Sequence, residues 1–232
     1  MNYSLIIVGC GATGSNIACF ASQFAISERK LAEIIVVDGD TVEAKNYRNQ
    51  KFSKNDIGRN KARVLSNRYR KLGINISFYD DYITRKEDLI NIINSATGDL
   101  VILVGSVDNN KCRRIMNDVF NSTDTLIYID TGNGDERNPS GQVVLGCKQN
   151  GTVIKDPVCI CFPSILDPNM DDDKEEVASG PFSCSQIQEH PQCLATNLLS
   201  ATTVFLMINN IISYNKLDKT IHRFDSKNIY IR

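Results

Sequence analysis

The chain has 232 residues, of which 42% are hydrophobic, and its 26 basic and 27 acidic residues give a formal net charge of -1. A chain of this size can bury one sizeable core, so we expect a single domain over 1–232. Because basic and acidic residues are nearly equal in number, the composition predicts no basic surface that would bind the phosphates of nucleic acid. Nucleic acid is therefore not an expected partner. No basic segment or small-residue cleavage site precedes the first apolar run; we expect no secretion signal and a cytoplasmic location.

Short apolar runs alternate with longer segments along about the first 150 residues. The runs predicted to be strands are 5–8, 34–37, 74–79, 100–104, 126–130 and 142–146. Helices are predicted at about 12–25, 57–72, 89–93 and through 115–120. This alternation predicts an α/β fold in which a Rossmann-like, mostly parallel sheet is flanked by helices.

The pattern changes after this Rossmann-like core. An acidic run at 171–176 has few large apolar neighbours, so we expect a mobile loop over about 156–183. A helix and a terminal hairpin are predicted within 184–232, with the helix at about 194–212. Threonine and asparagine interrupt the apolar part of this helix, which is shorter than a bilayer span. We therefore predict a buried helix and no membrane association.

A glycine-rich loop connects the first strand to the first helix. Gly9, Gly11 and Gly14 form the pattern Gly-x-Gly-x-x-Gly, in which small residues let the backbone approach phosphates and the helix amino terminus presents N–H donors. Asp38 ends the second strand, where a carboxylate can accept hydrogen bonds from ribose hydroxyls. Together they predict an adenine nucleotide site, but they do not distinguish ATP from NAD.

The segment after Asp38 is rich in cationic and amide side chains. An enzyme that splits a triphosphate needs such cations on the leaving pyrophosphate, whereas a dehydrogenase has little use for them. The pattern Asp-x-Asp-x-Val-x-x-x-Asn from Asp38 to Asn46 is followed by Gln50 and by Gly-x-x-Lys at 58–61. This arrangement resembles the ThiF/MoeB/HesA superfamily of ATP-dependent adenylyltransferases, whose core is shared with ubiquitin-activating enzymes.

The resemblance implies roles for particular residues. The glycine loop is implied to lie at the phosphates, Asp38 at the ribose, and Asn46 and Lys61 opposite the triphosphate. The implied nucleotide-binding set is Gly9, Gly11, Ala12, Thr13, Gly14, Asp38, Asp40, Asn46, Arg48, Gln50, Lys61 and Asp108.

Asp108 follows the fourth predicted strand. Family members place there the aspartate that holds Mg²⁺ and positions the attacking carboxylate. On spacing alone, the residue is equally consistent with an ordinary helix N-cap. The resemblance favours the functional interpretation, with Asp108 as a catalytic residue and the magnesium ligand.

One position departs from the family pattern. The arginine expected just before Gln50 is Asn49, and an arginine stands one place earlier as Arg48. Arg48 either replaces the missing function, acting with Lys61 as a catalytic cation, or is a solvated surface residue beside a weakened site.

The eight cysteines are expected to be free thiols, since a chain without a secretion signal meets a reducing compartment. Several relatives bind structural zinc through two Cys-x-x-Cys pairs, which this chain lacks. Cys159 and Cys161 could join Cys184, His190 or Cys193 only at irregular spacing, so zinc is not expected.

Other cysteines have separate interpretations. Cys10, Cys19 and Cys112 are predicted to be small core residues. Cys184 precedes the last long helix, about where some relatives place the cysteine that takes up the activated carboxyl as a thioester or acyl-disulfide. An inert thiol near a helix start is an equal alternative.

These observations predict ATP- and Mg²⁺-dependent adenylation of a carboxylate. The expected substrate is the C-terminal glycine of a small ubiquitin-like or sulfur-carrier protein, and the expected assembly is a homodimer. Three alternatives stay open, in this order: a non-catalytic nucleotide-binding scaffold, favoured by Asn49; a tRNA-modifying dehydratase; and an NAD-dependent oxidoreductase.

Overall fold

The computed structural model describes residues 1–134, 137–170, 193–228 and 230–231, and its secondary structure follows the predicted alternation. The strands are β1 (Tyr3–Val8), β2 (Leu31–Val37), β3 (Ile76–Tyr79), β4 (Leu100–Gly105), β5 (Leu126–Asn133), β6 (Ser140–Gln149), β7 (Thr152–Lys155), β8 (Ile221–Asp225) and β9 (Tyr230–Ile231). The helices are α1 (Ala12–Ser27), α2 (Lys61–Tyr69), α3 (Lys86–Ser95), α4 (Asn110–Ser122), α5 (Val158–Cys161) and α6 (Leu194–Tyr214).

All these strands belong to one mixed sheet, which confirms the predicted Rossmann-like α/β fold. Its order is β3-β2-β1-β4-β5-β6-β8-β9, and β7 pairs with β6. The first five strands in this order are parallel, and the pairings from β5 onward are antiparallel. The carboxyl ends of the parallel strands therefore lie at one edge of the sheet, where ligands bind in open α/β folds.

Apolar side chains cover both faces of the sheet. In β1, Leu5 and Ile7 pack into the cluster formed with α1, α2 and α6, whereas Ile6 and Val8 pack into the cluster formed with α3, α4 and α5. All four residues are at most 3% exposed. A strand buried on both faces needs a continuous apolar run, and this explains why the sequence of β1 shows no alternation.

The segment between β2 and α2 contains more structure than expected. Two 3₁₀ helices, Ala44–Arg48 and Lys54–Asp56, lie between the strand predicted at 34–37 and the helix predicted at 57–72, where no element was predicted. Helix α2 begins at Lys61 rather than near 57, because the Asn60 side chain caps it by accepting a hydrogen bond from the Arg63 N–H at 2.9 Å. Gly58, with φ +77°, turns the chain before this cap.

The loop predicted over about 156–183 begins with ordered structure. Helix α5 and two short 3₁₀ helices, Pro163–Leu166 and Pro168–Met170, lie where an unstructured segment was expected. Burial of Val158 and Cys159 against the sheet supplies the apolar contact that orders this part. Residues 171–183 lie outside the described residues.

Helix α6 is long enough, and over its most apolar window apolar enough, to cross a bilayer by length and composition alone. More than half of that window, 56%, is buried inside the protein, where the helix packs against α1, β5 and β6. These contacts are those of the core helix that the sequence predicted.

The packing of α6 predicts different consequences for two neighbouring substitutions. Ile208 is fully buried, so Ile208→Ala should lower the free energy of unfolding by about 2–5 kcal/mol, through lost apolar contact and a cavity. Leu206 is 51% exposed, and Leu206→Ala should change it by less than about 0.5 kcal/mol. Urea denaturation of both variants measures this difference. Equal effects would contradict the core position of this helix face.

Candidate nucleotide site

The glycine loop lies between the ends of two neighbouring strands. The Gly9 N–H donates to the Val37 carbonyl at the end of β2, and the Ser106 N–H donates to the Val8 carbonyl at the end of β1, both at 2.9 Å. The parallel register pairs Val8 with both Val37 and Gly105. Strand pairing alone therefore brings the glycine loop, Asp38 and the segment after β4 to one place.

Two of the three glycines are required by the protein itself. Gly9 has φ +91°, and a Cβ there would lie 2.6 Å from the Ser106 carbonyl oxygen. A Cβ at Gly14 would lie 1.8 Å from the Gly9 carbonyl oxygen. The Ser106 hydroxyl donates to the same Gly9 carbonyl at 2.7 Å. Helix α1 can approach β1 this closely only because both residues lack a side chain.

Gly11 is different, because the protein does not fill the space beside it. A Cβ at Gly11 would meet no atom of the described residues within 4 Å. Gly11 is the N-cap of α1 and supplies no side-chain cap, and the first bond of the helix joins the Ser15 N–H to the Gly11 carbonyl. The N–H groups of residues 12–14 therefore lack intrahelical acceptors beside this space, an arrangement that suits a phosphate.

Asp38 joins the glycine loop to the segment that follows β2. One carboxylate oxygen accepts the Cys10 N–H at 2.5 Å, and the other accepts the Asp40 N–H at 2.8 Å. Burial raises the pKa of Asp38, and the hydrogen bond from Cys10 partly offsets this effect. Each oxygen keeps a lone pair, so the carboxylate can still accept ribose hydroxyls.

Asp40 connects Lys61 to a tyrosine that sequence reasoning missed. The Lys61 ammonium lies 2.8 Å from one Asp40 oxygen, and the Tyr82 hydroxyl donates to the other at 2.5 Å. Burial raises the pKa of Asp40, but the bonds from Lys61 and Tyr82 outweigh it, so the net shift is downward. The bond to Asp40 raises the pKa of Tyr82 to about 12. Lys61, predicted to face the triphosphate, thus contacts a carboxylate here.

Asp108 lies in the exposed segment between β4 and α4. The N-cap of α4 is Asn109, whose side chain accepts the Cys112 N–H at 2.8 Å. The structural alternative for Asp108 is therefore wrong, because the neighbouring residue performs the capping. The two residues before it, Ser106 and Val107, lie against Gly9 of the glycine loop. An exposed carboxylate that follows them, together with substrate phosphates, suits Mg²⁺.

A buried ion pair supports the segment that carries Asp108. Arg113 in α4 donates to Asp130 at 3.2 Å and to the Val107 carbonyl at 2.7 Å. The Tyr128 hydroxyl donates to the other Asp130 oxygen at 2.9 Å. Burial raises the pKa of Asp130, and the Arg113 charge opposes this effect. Arg113 thereby ties the residue before Asp108 to the sheet.

The remaining predicted side chains have varied surroundings. Asn46 is buried, and its oxygen accepts the Glu43 N–H at 2.7 Å, so this atom stabilises its own 3₁₀ turn. Gln50 has a buried side-chain oxygen without a hydrogen-bond partner among the described residues. Arg48 is exposed at the end of the same turn, with Asn49 as its C-cap.

A polar cluster lies where the first turn of α1 meets β5 and α6. The Asn133 amide donates to Thr13 and to Asn197, each at 2.9 Å, and the Thr13 hydroxyl donates to Asn197 at 3.2 Å. Thr13 is thus available to a phosphate through its backbone N–H, while its side chain holds α1 against α6. Ala12 beside it is also buried.

Two cysteines near the start of α6 bear on acyl transfer. Cys184 lies outside the described residues, as does His190. Cys193 is the N-cap residue of α6, and hydrogen bonding from the Thr196 backbone lowers the pKa of its thiol. Cys10 and Cys112 are buried, as predicted, whereas Cys19 is only partly buried. Among the described residues, no group of three or more His, Cys, Asp or Glu could hold a metal ion.

Sequence reasoning missed the contacts of Ser106, Tyr82, Arg113 and Asn197. Only Tyr82 carried a local signal, since it is a large aromatic in the polar segment after β3. The other three are common residue types, and each contacts a residue that is 17 to 184 positions away in the sequence. Local pattern carries no information about such pairs.

The family follows from comparison with known proteins. A model of the ThiF family matches residues 1–203. The chain belongs to the ThiF family. The matched range includes the glycine loop, Asp38, Lys61 and Asp108 and extends into α6. A search of curated proteins finds no match.

Solved structures share the ThiF-family fold along 99% of this chain. E. coli MccB with ATP superposes with a TM-score of 0.69 at 20% identity, and E. coli MccB with AMPCPP and MccA with 0.68 at 18%. PaaA superposes with a TM-score of 0.68 at 15% identity. The chain spans 62% of the length of each of these proteins. At such identities the likeness establishes the fold.

The glycine geometry predicts a large loss of stability for one substitution and a small loss for another. Gly14→Ala should destabilise the protein by about 1–3 kcal/mol, because the methyl group must displace the backbone of Gly9. Gly11→Ala should cost less than about 1 kcal/mol, because its methyl group enters open space. Thermal and urea denaturation measure both effects. If Gly11→Ala destabilised the protein as strongly as Gly14→Ala, the space beside Gly11 would not be open.

Proposed function

We propose that this protein is an ATP-dependent adenylyltransferase that activates the carboxylate of a small protein or peptide. The main observation behind the proposal is the open space at Gly11, which lies beside free N–H groups of helix α1. Asp38, Lys61 and Asp108 follow strands that end at the same edge of the sheet. Structures of E. coli MccB with ATP and with the peptide MccA, which share this fold, support a nucleotide and a small acyl partner.

The proposed reaction is an in-line displacement at the α-phosphorus of ATP. A carboxylate oxygen forms the new bond to phosphorus, the bond to the bridging oxygen breaks, and pyrophosphate leaves with that electron pair. Helix α1 binds the phosphates through its N–H groups, and Asp38 orients the ribose. Lys61 and Arg48 stabilise negative charge on the leaving group. Asp108 would hold Mg²⁺, which neutralises phosphate charge when bound.

The partner is proposed more finely as a small ubiquitin-like or sulfur-carrier protein that ends in glycine. We also propose a homodimer, because the first turns of α6 expose Leu194 and Leu198, whereas Phe205 further along the helix packs with Phe20 and Phe24 of α1. Light scattering tests this proposal. A mass of 25.9 kDa at micromolar concentration would contradict it.

Exchange of labelled pyrophosphate into ATP tests the reaction. We expect exchange that depends on both Mg²⁺ and an acyl partner, measured with candidate small proteins and peptides that end in glycine. ATP binding without exchange would favour the scaffold alternative, and tighter binding of NAD than of ATP would favour the oxidoreductase. Exchange supported by a tRNA nucleoside carboxylate would favour the dehydratase.

We propose that Arg48 replaces the family arginine, whose position in this chain is Asn49. Its planar guanidinium can hold two phosphate oxygens, so Arg48→Ala should lower the exchange rate at least tenfold, on the scale of about 2.7–4 kcal/mol for one transition-state donor. Arg48→Lys should recover part of the rate.

Lys45 provides the matched control. It is an exposed cation in the same turn, paired at the surface with Glu43 at 3.0 Å, so Lys45→Ala should keep nearly the wild-type rate. The Arg48 assignment is wrong if Arg48→Ala exchanges normally while Asn49→Arg raises the rate.

Substitution of Cys184 separates adenylation from acyl transfer. Cys184→Ala should leave pyrophosphate exchange intact, because the adenylate forms before any thiol is needed. It should abolish a covalent acyl-protein adduct detected by mass spectrometry. Cys193→Ala is the informative comparison, since the lowered pKa of Cys193 makes it the described thiol best suited to attack. If the adduct is lost in Cys193→Ala but kept in Cys184→Ala, Cys193 is the residue that takes up the acyl group.

A further inference from the structure

Tyr82 is an exposed aromatic residue at the nucleotide site, and the chemistry proposed above assigns it no role. It follows the carboxyl end of β3 and is 57% exposed. Strand β3 neighbours β2, and the Asp38 N–H donates to the Tyr79 carbonyl at 3.1 Å, which joins the ends of these strands. Since β1 lies on the other side of β2, Tyr82 flanks Asp38 opposite the glycine loop.

Two contacts hold the Tyr82 ring in place. The ring lies against Gly39, where a Cβ would come within 2.6 Å of two ring atoms. The hydroxyl donates to Asp40 at 2.5 Å. The glycine between the two aspartates thus accommodates the ring, and Asp40 fixes its rotation. More than half of the residue stays open to solvent, so the ring is held in position without being part of the core.

The direction of a bound nucleotide brings its base to this side. Phosphates at the amino terminus of α1 and ribose hydroxyls on Asp38 align the nucleotide from β1 toward β2. The base continues beyond the ribose, toward the end of β3. A base has an apolar π-face that stacks on aromatic side chains, and a pre-positioned ring loses little conformational freedom when it does so.

We propose that Tyr82 stacks on the adenine ring and determines the preference of this site for nucleotides over base-free polyphosphates. The proposal rests on the nucleotide-binding function proposed above. Asp40 has a central position in it, because the same carboxylate orients Tyr82 through one oxygen and contacts Lys61 through the other. The base-contacting ring and the cation at the phosphates are thereby connected through one side chain.

Calorimetric titration with Mg-ATP and with magnesium tripolyphosphate tests this role. Tyr82→Ala should weaken ATP binding about tenfold, as expected for loss of one base-aromatic stack, and leave tripolyphosphate binding unchanged. Tyr82→Phe keeps the ring and should retain most of the ATP affinity despite losing the bond to Asp40. Tyr82→Leu, apolar but not aromatic, should resemble Tyr82→Ala and substitutes for it if that variant folds poorly.

Tyr214 provides the matched control, because it is 70% exposed at the end of α6, and Tyr214→Ala should bind both ligands as the wild type does. If Tyr82→Ala and Tyr82→Leu keep wild-type ATP affinity, or lose ATP and tripolyphosphate affinity equally, the stacking role is wrong. If the wild-type protein itself binds no ATP, the proposed function fails, and the stacking role fails with it.

Discussion

At Gly14, the first turn of α1 passes so close to the Gly9 carbonyl that a Cβ would lie 1.8 Å from its oxygen. The Ser106 hydroxyl bonds the same oxygen from β4. This approach sets the position of the helix relative to the ends of β1 and β4. The free N–H groups of the helix consequently open onto the space at Gly11.

Asp38 stabilises the same arrangement from the second strand. Its carboxylate accepts two backbone N–H groups, one in the glycine loop and one in the segment toward α2. A carboxylate that connects two loops is already oriented for the ribose contact that we propose for it. The raised pKa of Asp38 shows that burial opposes its charge, and hydrogen bonds to the carboxylate offset part of that opposition.

Two ion pairs near the site each include a side chain that is at most 9% exposed. Asp130 is buried and is hydrogen-bonded to Arg113, whose side chain is 13% exposed. Arg113 also donates to the carbonyl of the residue before the exposed Asp108. Lys61 is buried against the half-exposed Asp40. Removing one member of such a pair leaves an uncompensated buried charge, which is strongly destabilising. The supporting pairs are therefore structural, and their effect on chemistry acts through the residues they position.

Much of the fold could be predicted from sequence because its signals are local. Buried parallel strands need continuous apolar runs, so β1, β2, β4 and β5 were visible as such. The glycine loop and Asp38 were visible because phosphate approach and ribose binding need fixed residue types at a fixed spacing. The predicted start of α2 was wrong because the Gly58 turn and the Asn60 cap determine it within a single turn. Apolar periodicity is a pattern over several turns and cannot locate a boundary that precisely.

The chain by itself determined the fold class, the position of the nucleotide loop and the ThiF-like motif, since each depends on residues close together in sequence. Only the tertiary structure decided that Asn109 rather than Asp108 caps α4, that Gly11 alone of the three glycines borders open space, and that Tyr82 and Lys61 share Asp40. These facts depend on strands that are distant in sequence ending at one edge. The physical reason is that hydrogen bonding and steric contact act between atoms close in space, whatever their separation along the chain.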